Sequence, residues 1–196
     1  GHRFDGKTDP QIVRELMTLA GIPDDEITAG MDAVLAAYLV QLEAELADRS
    51  RIELLPGVHA LLDAVEAHDD LALGVLTGNV ARGAAMKCRA VGIDPARFVV
   101  GAYGSDHHHR PALPPVALAR AQAALDPALD GTRLVIIGDT PNDLTCGRGI
   151  GARAIGVETG HYRAADLLPH EPVAVFADLA DTDAVLRALV ATERAA

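Results

Sequence analysis

Tryptophan is absent from this 196-residue chain, and three tyrosines and three phenylalanines are its only other aromatic hydrocarbons. A core built without large rings is aliphatic, and stacking platforms for nucleobases are scarce. Cysteine is nearly absent as well. Cys88 and Cys146 have neither the number nor the spacing of a disulfide framework or a Cys-x-x-Cys pair, so a reducing, cytoplasmic setting is expected. Positive charge is in deficit, with 17 Lys plus Arg against 28 Asp plus Glu and a net charge of −11. That balance repels nucleic-acid backbone and anionic lipid. Uninterrupted apolar runs such as Ala33 to Val40 fall short of the roughly 20 residues a membrane-spanning helix requires. The opening GHRFDGKTDP carries no signal-peptide pattern. Neither nucleic acid nor membrane is expected as a partner; a small ligand held with the help of a cation fits better.

What is present is 49% hydrophobic and 23% charged, the composition of one or two compact domains. The first fifty residues read as helix after helix. Asp9 and Pro10 start one that carries Ile12, Val13, Leu16 and Leu19 and stops at Gly21. Pro23 and Asp24 open a second, whose apolar stripe from Met31 through Leu46 runs to Ala47. Beyond Arg51 the pattern becomes an alternation of short apolar strands and helices. Strands are expected at Leu71 to Leu76, from Phe98, at Leu134 to Ile137, Ala152 to Val157 and Val173 to Phe176. Helices are expected at Val58 to Ala67, Val80 to Val91, 114–124, from Pro141, and at Asp181 to Val190. Such alternation predicts an α/β fold, a doubly wound parallel sheet covered on both faces, with residues 1–50 as a small helical unit and 51–196 as the core. Ligands of such sheets bind beyond the carboxyl ends of the strands.

Two strand ends carry polar residues suited to one ligand. Thr77-Gly78-Asn79 places a hydroxyl and main-chain N–H groups just before a helix, an arrangement that suits a phosphate oxygen. Asp139 closes another strand and Asp143 stands in the first turn of the next helix, so the two carboxylates can converge on a hard divalent cation such as Mg²⁺. Arg110, before Pro111, can supply the guanidinium that grips a phosphoryl group. His107, His108 and His109 form a conspicuous run beside Asp106. Adjacent side chains in an extended loop alternate, so at most two of the three could face one metal ion, and their role is left open. Cys146 reads as a small buried hydrophobe.

Taken together, Leu76 to Asn79, Arg110-Pro111 and Ile136 to Asp143 (Ile-Ile-Gly-Asp-Thr-Pro-Asn-Asp) resemble, in order and spacing, the second, third and fourth motifs of the haloacid dehalogenase superfamily. Leu55 to Val58 looks like the start of the core after the cap, and the opening helices look like the small helical cap of its phosphoglycolate-phosphatase-like branch. The resemblance implies a Mg²⁺-dependent phosphatase that hydrolyses a small phosphorylated molecule through an aspartyl-phosphate intermediate. It assigns catalytic roles to Thr77, Arg110 and Asp139, phosphate binding to Thr77, Gly78, Asn79 and Arg110, and metal binding to Asp139 and Asp143. Arg110 stands where the superfamily usually has Lys. A phosphomutase, a dehalogenase or a non-catalytic phosphate-binding protein are the alternatives the same motifs allow.

One departure from the superfamily pattern is the first motif, an apolar strand followed by Asp-x-Asp whose first Asp is the nucleophile. Phe4-Asp5-Gly6-Lys7-Thr8 imitates its letters, but no apolar strand precedes Asp5 and the segment runs straight into a helix, so it is read as a coincidence. The expectation is that the nucleophile strand precedes residue 1 and is central to the sheet. Without it, apolar edges and main-chain groups of the neighbouring strands are unpaired.

Overall fold

The computed structural model describes residues 4–191. Helix α1 (Asp9–Leu19) starts where Thr8 accepts a hydrogen bond from Gln11 N and Pro10 supplies a preset φ, and it ends before Gly21, whose φ is +80°. Helix α2 (Asp24–Ala47) opens with Asp24, Asp25 and Glu26, acids that complement the positive end of the helix dipole. It packs along α1 and against α4 (Ala81–Ala90), where Gly83 leaves room for Leu39 and Leu42. By length and composition alone α2 could cross a membrane: 24 residues, mean hydropathy 1.2. Counting only unbroken apolar runs hid this, because Asp32 and Glu43 interrupt the letters without lowering the mean enough. The helix contacts α1 and α4 in the fold, and Ile27 is its one buried residue.

The remaining elements are α3 (Val58–Glu66), β1 (Gly74–Thr77), β2 (Val100–Tyr103), α5 (Leu113–Ala124), β3 (Val135–Gly138), α6 (Pro141–Cys146), β4 (Arg153–Val157), α7 (Ala164–Leu167), β5 (Ala174–Phe176) and α8 (Thr182–Val190). Every strand pair is parallel, as the alternation of strands and helices requires. The strands form two sheets, however: β1 with β2, and β3, β4 and β5 in that order. The α/β fold of parallel strands with flanking helices is the one expected. All five strands start later than expected, β1 by three residues, β2 by two and the others by one. Val99 N–H already reaches Leu73 O at 3.0 Å, but the regular ladder opens only at Gly74 and Val100.

Burial follows the pairing. In the middle strand β4, Ala154 to Val157 are buried, whereas the equally apolar Val75, Leu76, Ile136 and Ile137 of β1 and β3 are only half-buried. Each of those two strands has one edge without a ladder partner. They are joined from one side: Leu73 before β1 and Ile137 of β3 pack on the same cluster of Leu61, Val65 and Val185 from α3 and α8. A second cluster packs β2 on α5 through Ala102 and Leu113, and a third packs β4 on α6 and α7 through Ala154, Leu144 and Leu167. Arg97, just before β2, binds α3 by a fork of hydrogen bonds to Glu66 (2.8 and 2.7 Å) and one to Asp63 (2.6 Å).

Gly57 sets the entry to α3. Its φ is +82°, and a Cβ at this position would stand 1.9 Å from the carbonyl oxygen of Leu179. Gly57→Ala combines left-handed strain of about 1 kcal/mol with overpacking against main chain of about 1–3 kcal/mol. We expect a loss of about 2–4 kcal/mol by urea denaturation; a variant as stable as the parent would show that this loop yields freely.

Candidate active site

Three segments meet at the carboxyl ends of β1 and β3. The first is Thr77-Gly78-Asn79, between β1 and α4. Asn79 N donates to Thr77 Oγ1 at 3.1 Å, an acceptor role that leaves the threonine hydroxyl proton for another oxygen. The Asn79 N–H is thereby engaged, so of the groups the sequence suggested for phosphate this one acts on Thr77. The Asn79 side chain lies between Lys87, whose Nζ donates to Oδ1 at 3.1 Å, and Asp9, whose Oδ1 accepts from Nδ2 at 3.1 Å.

The second segment is Asp139 to Asp143. Thr140 and Asp143 form a capping box at the start of α6: Asp143 N donates to Thr140 Oγ1 at 3.2 Å, while Asp143 Oδ2 accepts from Thr140 N at 3.1 Å and Oγ1 at 2.8 Å. The other oxygen, Oδ1, pairs with Arg110 Nη2. Arg110 sits in the short 3₁₀ turn Arg110–Ala112 leading into α5. Both partners are buried, with side-chain exposures of 12% for Arg110 and 9% for Asp143. Arg110 Nε is buried too, and it has no hydrogen-bond partner. Cys146 is buried as expected, its Sγ 3.3 Å from Asp143 O, and burial pushes its thiol pKa up.

Asp139 differs from Asp143 in having no side-chain hydrogen bond or ion pair among the described residues; its own main-chain N–H is its hydrogen-bond donor. Burial raises its carboxyl above the ordinary range, and the negative charge of Asp143 adds to that rise, with Arg110 acting in the opposite direction. Gly160, in the loop after β4, covers it so closely that a Cβ would lie 2.3 Å from Asp139 Oδ2.

The third segment is Asp5 to Asp9, the stretch the sequence reading set aside. Asn142 Nδ2 reaches Asp5 O and Gly6 O at 3.5 and 3.4 Å, and a Cβ on Gly6 would stand 2.6 Å from Asn142 Cβ. Lys7 O then lies 2.1 Å from where a Cβ on Gly78 would be, and Asp9 N donates to Gly78 O at 2.7 Å. Passing from the Asp139 loop to the Thr77 loop thus takes three residues of chain, about 10 Å at full extension. Thr77, Arg110, Asp139 and Asp143 are therefore gathered in one small region. Thr8 and Asp9 belong to it as well, and sequence reasoning missed them. Their letters already had an explanation as a helix start, and their partners, His108 for Thr8 and Asn79 and Val80 for Asp9, lie 100, 70 and 71 residues further on.

His107 and His108 do not alternate as an extended loop would have them. Their rings stack at 4.8 Å, because His109 N turns back to donate to His107 Nδ1 at 2.9 Å. Among the described residues no three His, Cys, Asp or Glu side chains come together as a metal cage. An open Mg²⁺ site needs less, since that ion keeps several waters and takes one or two carboxylates with a substrate phosphate. Asp139 and Asp143 fit that requirement. One is a desolvated carboxylate without a side-chain partner among the described residues, and the other is held by Thr140 and Arg110.

Residues 111–182 match the family model described as HAD-hydrolase-like. No curated protein matches the chain in sequence. Solved structures do match in fold. A hydrolase from Pseudomonas syringae is 21% identical with a TM-score of 0.69, the match covering 94% of this chain and 80% of that one. A predicted phosphoglycolate phosphatase from Haemophilus somnus 129pt is 21% identical with a TM-score of 0.61, covering 89% and 73%. CbbY from Rhodobacter sphaeroides, solved in complex with phosphate, is 21% identical with a TM-score of 0.59, covering 71% and 61%. The family match falls on the segment carrying Asp139 and Asp143, which is thus similar to the haloacid dehalogenase-like hydrolases, and the likeness of fold extends over most of the chain.

Proposed function

We infer that this chain belongs to a Mg²⁺-dependent, cytoplasmic phosphatase that hydrolyses a small phosphomonoester through an aspartyl-phosphate intermediate. The observation that carries the reading is the meeting of a hydroxyl-bearing strand end at Thr77 with a buried Arg110–Asp143 pair and the desolvated carboxylate of Asp139. The phosphate held by the structural neighbour CbbY supports the choice of ligand. Thr77 donates its hydroxyl to a phosphoryl oxygen, with Gly78 beside it, and Asn79 fixes the direction of that hydroxyl. Arg110 neutralises the acidic pair and offers Nε–H, a buried donor that an acceptor from the reacting group would satisfy. Asp139 would ligate Mg²⁺ directly and Asp143 would support it, the ion supplying positive charge against the equatorial phosphoryl oxygens. Chemically, a carboxylate attacks phosphorus as the ester oxygen leaves, and water then cleaves the acyl phosphate to release phosphate. The ladder edges of β1 and β3 that have no partner among the described residues are where a strand carrying that carboxylate would pair. The helices of residues 1–50 act as the cap that excludes water and selects the leaving group.

The test is release of inorganic phosphate from a panel of small phosphomonoesters, together with an intact mass compared with 20.5 kDa to establish which segment is present. Turnover removed by EDTA and restored by Mg²⁺ is the expected result. Turnover indifferent to EDTA, or halide release from a haloacid in place of phosphate release, would replace this reading with a metal-independent hydrolase or a dehalogenase.

A further inference from the structure

Asp9 belongs to the helical unit by sequence but is bonded to the phosphate loop. Its main-chain N donates to Gly78 O at 2.7 Å, its Oδ1 accepts from Asn79 Nδ2 at 3.1 Å, and its Oδ2 accepts from Val80 N at 2.9 Å. The preceding residue, Thr8, is fully buried, and its Oγ1 donates to His108 O at 2.5 Å. Val80 precedes the first turn of α4, where unpaired N–H groups and the helix dipole ordinarily recruit an anion. Here the anion is internal. Asn79 is saturated as a result: its amide nitrogen meets Asp9, its amide oxygen meets Lys87, its main-chain N meets Thr77 Oγ1, and its carbonyl accepts from Gly104 N at 2.8 Å. Because Lys87 can only donate, the orientation of the amide follows from these partners.

The geometry points to Asp9 as a positioning residue of the phosphate site, which holds the Gly78–Val80 loop, and through Asn79 the Thr77 hydroxyl, in the arrangement that receives a phosphate oxygen. Anion affinity at β1 is then tied to the seating of α1, so displacing the helical pair loosens the phosphate site. The inference rests on the phosphatase reading for its ligand, and it makes a counter-intuitive statement about charge. A carboxylate this close to a phosphate site repels phosphate, so electrostatics alone predicts tighter binding when Asp9 is neutralised. Positioning predicts the reverse.

The experiment measures the affinity of the full chain for inorganic phosphate by calorimetry, with Mg²⁺ present, and amide hydrogen exchange at Val80 without phosphate. Asp9→Asn places a donor opposite Asn79 Nδ2, and Lys87 prevents that amide from turning; phosphate affinity is expected to fall at least tenfold and Val80 exchange to quicken. Asp9→Asn combined with Asn79→Asp restores the donor and acceptor pattern and the net charge, with the new amide at position 9 bonding Val80 N and the new carboxylate at 79 bonding Lys87. It is expected to recover slow exchange and most of the affinity. Arg97→Ala, far from the site at α3, controls for general destabilisation and is expected to leave phosphate affinity unchanged. Phosphate binding that is equal or tighter in Asp9→Asn overturns the proposal, as does an equal loss in Arg97→Ala or a double variant no better than the single one. A parent chain that binds no phosphate overturns the phosphatase reading instead, and the Val80 exchange pattern then decides alone whether Asp9 holds the loop.

Discussion

Asp139→Asn is expected to raise the melting temperature at pH 7 while abolishing both Mg²⁺-dependent turnover and the stabilisation that Mg²⁺ gives the parent protein. In the folded chain, burial first and Asp143 second raise the Asp139 carboxyl above its ordinary range. An acid whose folded pKa exceeds its unfolded value favours folding most below the unfolded pKa, and that advantage is lost as pH rises through the folded one. Where the carboxylate is charged in both states the parent carries the full unfavourable contribution, which a neutral amide of the same shape removes. In a chain of this size each 1 kcal/mol of relief is worth about 2–4 °C. A bound cation stabilises by RT ln(1 + [L]/Kd), so Mg²⁺ should lift the parent and leave the variant where it is. Other carboxyls titrate in the opposite sense: Arg120 holds Asp106 below its usual range, and that stability appears as pH rises. The difference between parent and variant across pH, measured by thermal denaturation, isolates Asp139. A variant that melts lower than the parent and still responds to Mg²⁺ would exclude Asp139 as the metal ligand.

The largest stability loss is expected from Arg110→Met. Both members of the Arg110–Asp143 pair are buried, and removing one partner of such a pair leaves an uncompensated charge, at a cost of about 3–5 kcal/mol. By the same conversion this is about 6–20 °C in melting temperature. Asp139 also loses a nearby positive charge, so its carboxyl moves further up. Arg110→Lys should be much milder, because it keeps the charge and deletes a buried Nε that has no acceptor in the folded chain. Urea titrations of the two variants separate the contributions. Equal losses would mean that the guanidinium fork carries the stability; no loss in either would mean that Asp143 is held by Thr140 alone.

Much of this arrangement is legible in the letters, for reasons that are local. Asp9–Leu19 and Asp24–Ala47 are legible nearly to the residue because Asp9, Pro10, Gly21, Pro23 and Asp24 mark the ends of a regular apolar stripe. The strands were found from their β-branched runs, but their starts were placed early. Leu71 and Leu73 are as apolar as strand residues because they pack on the α3–α8 cluster. The pairing of Asp139 with Asp143 was also visible, since a separation of four residues at a helix start leaves few other geometries. The role of Gly6, Thr8 and Asp9 was not visible, since its physical cause lies in partners that no local pattern encodes. The stacking of His107 on His108 was hidden likewise, depending on one turn-forming hydrogen bond in an exposed loop.

The bridge from Asn142 to Gly6, from His108 to Thr8 and from Val80 to Asp9 spans 136, 100 and 71 residues of sequence. Closing loops of that length costs entropy before any contact repays it, and helices such as α2 and the neighbouring strand pairs form from far shorter separations. The region where the two strand ends meet is therefore expected to close late in folding, together with the α3–α8 cluster, whose Leu61 and Val185 are equally distant in sequence.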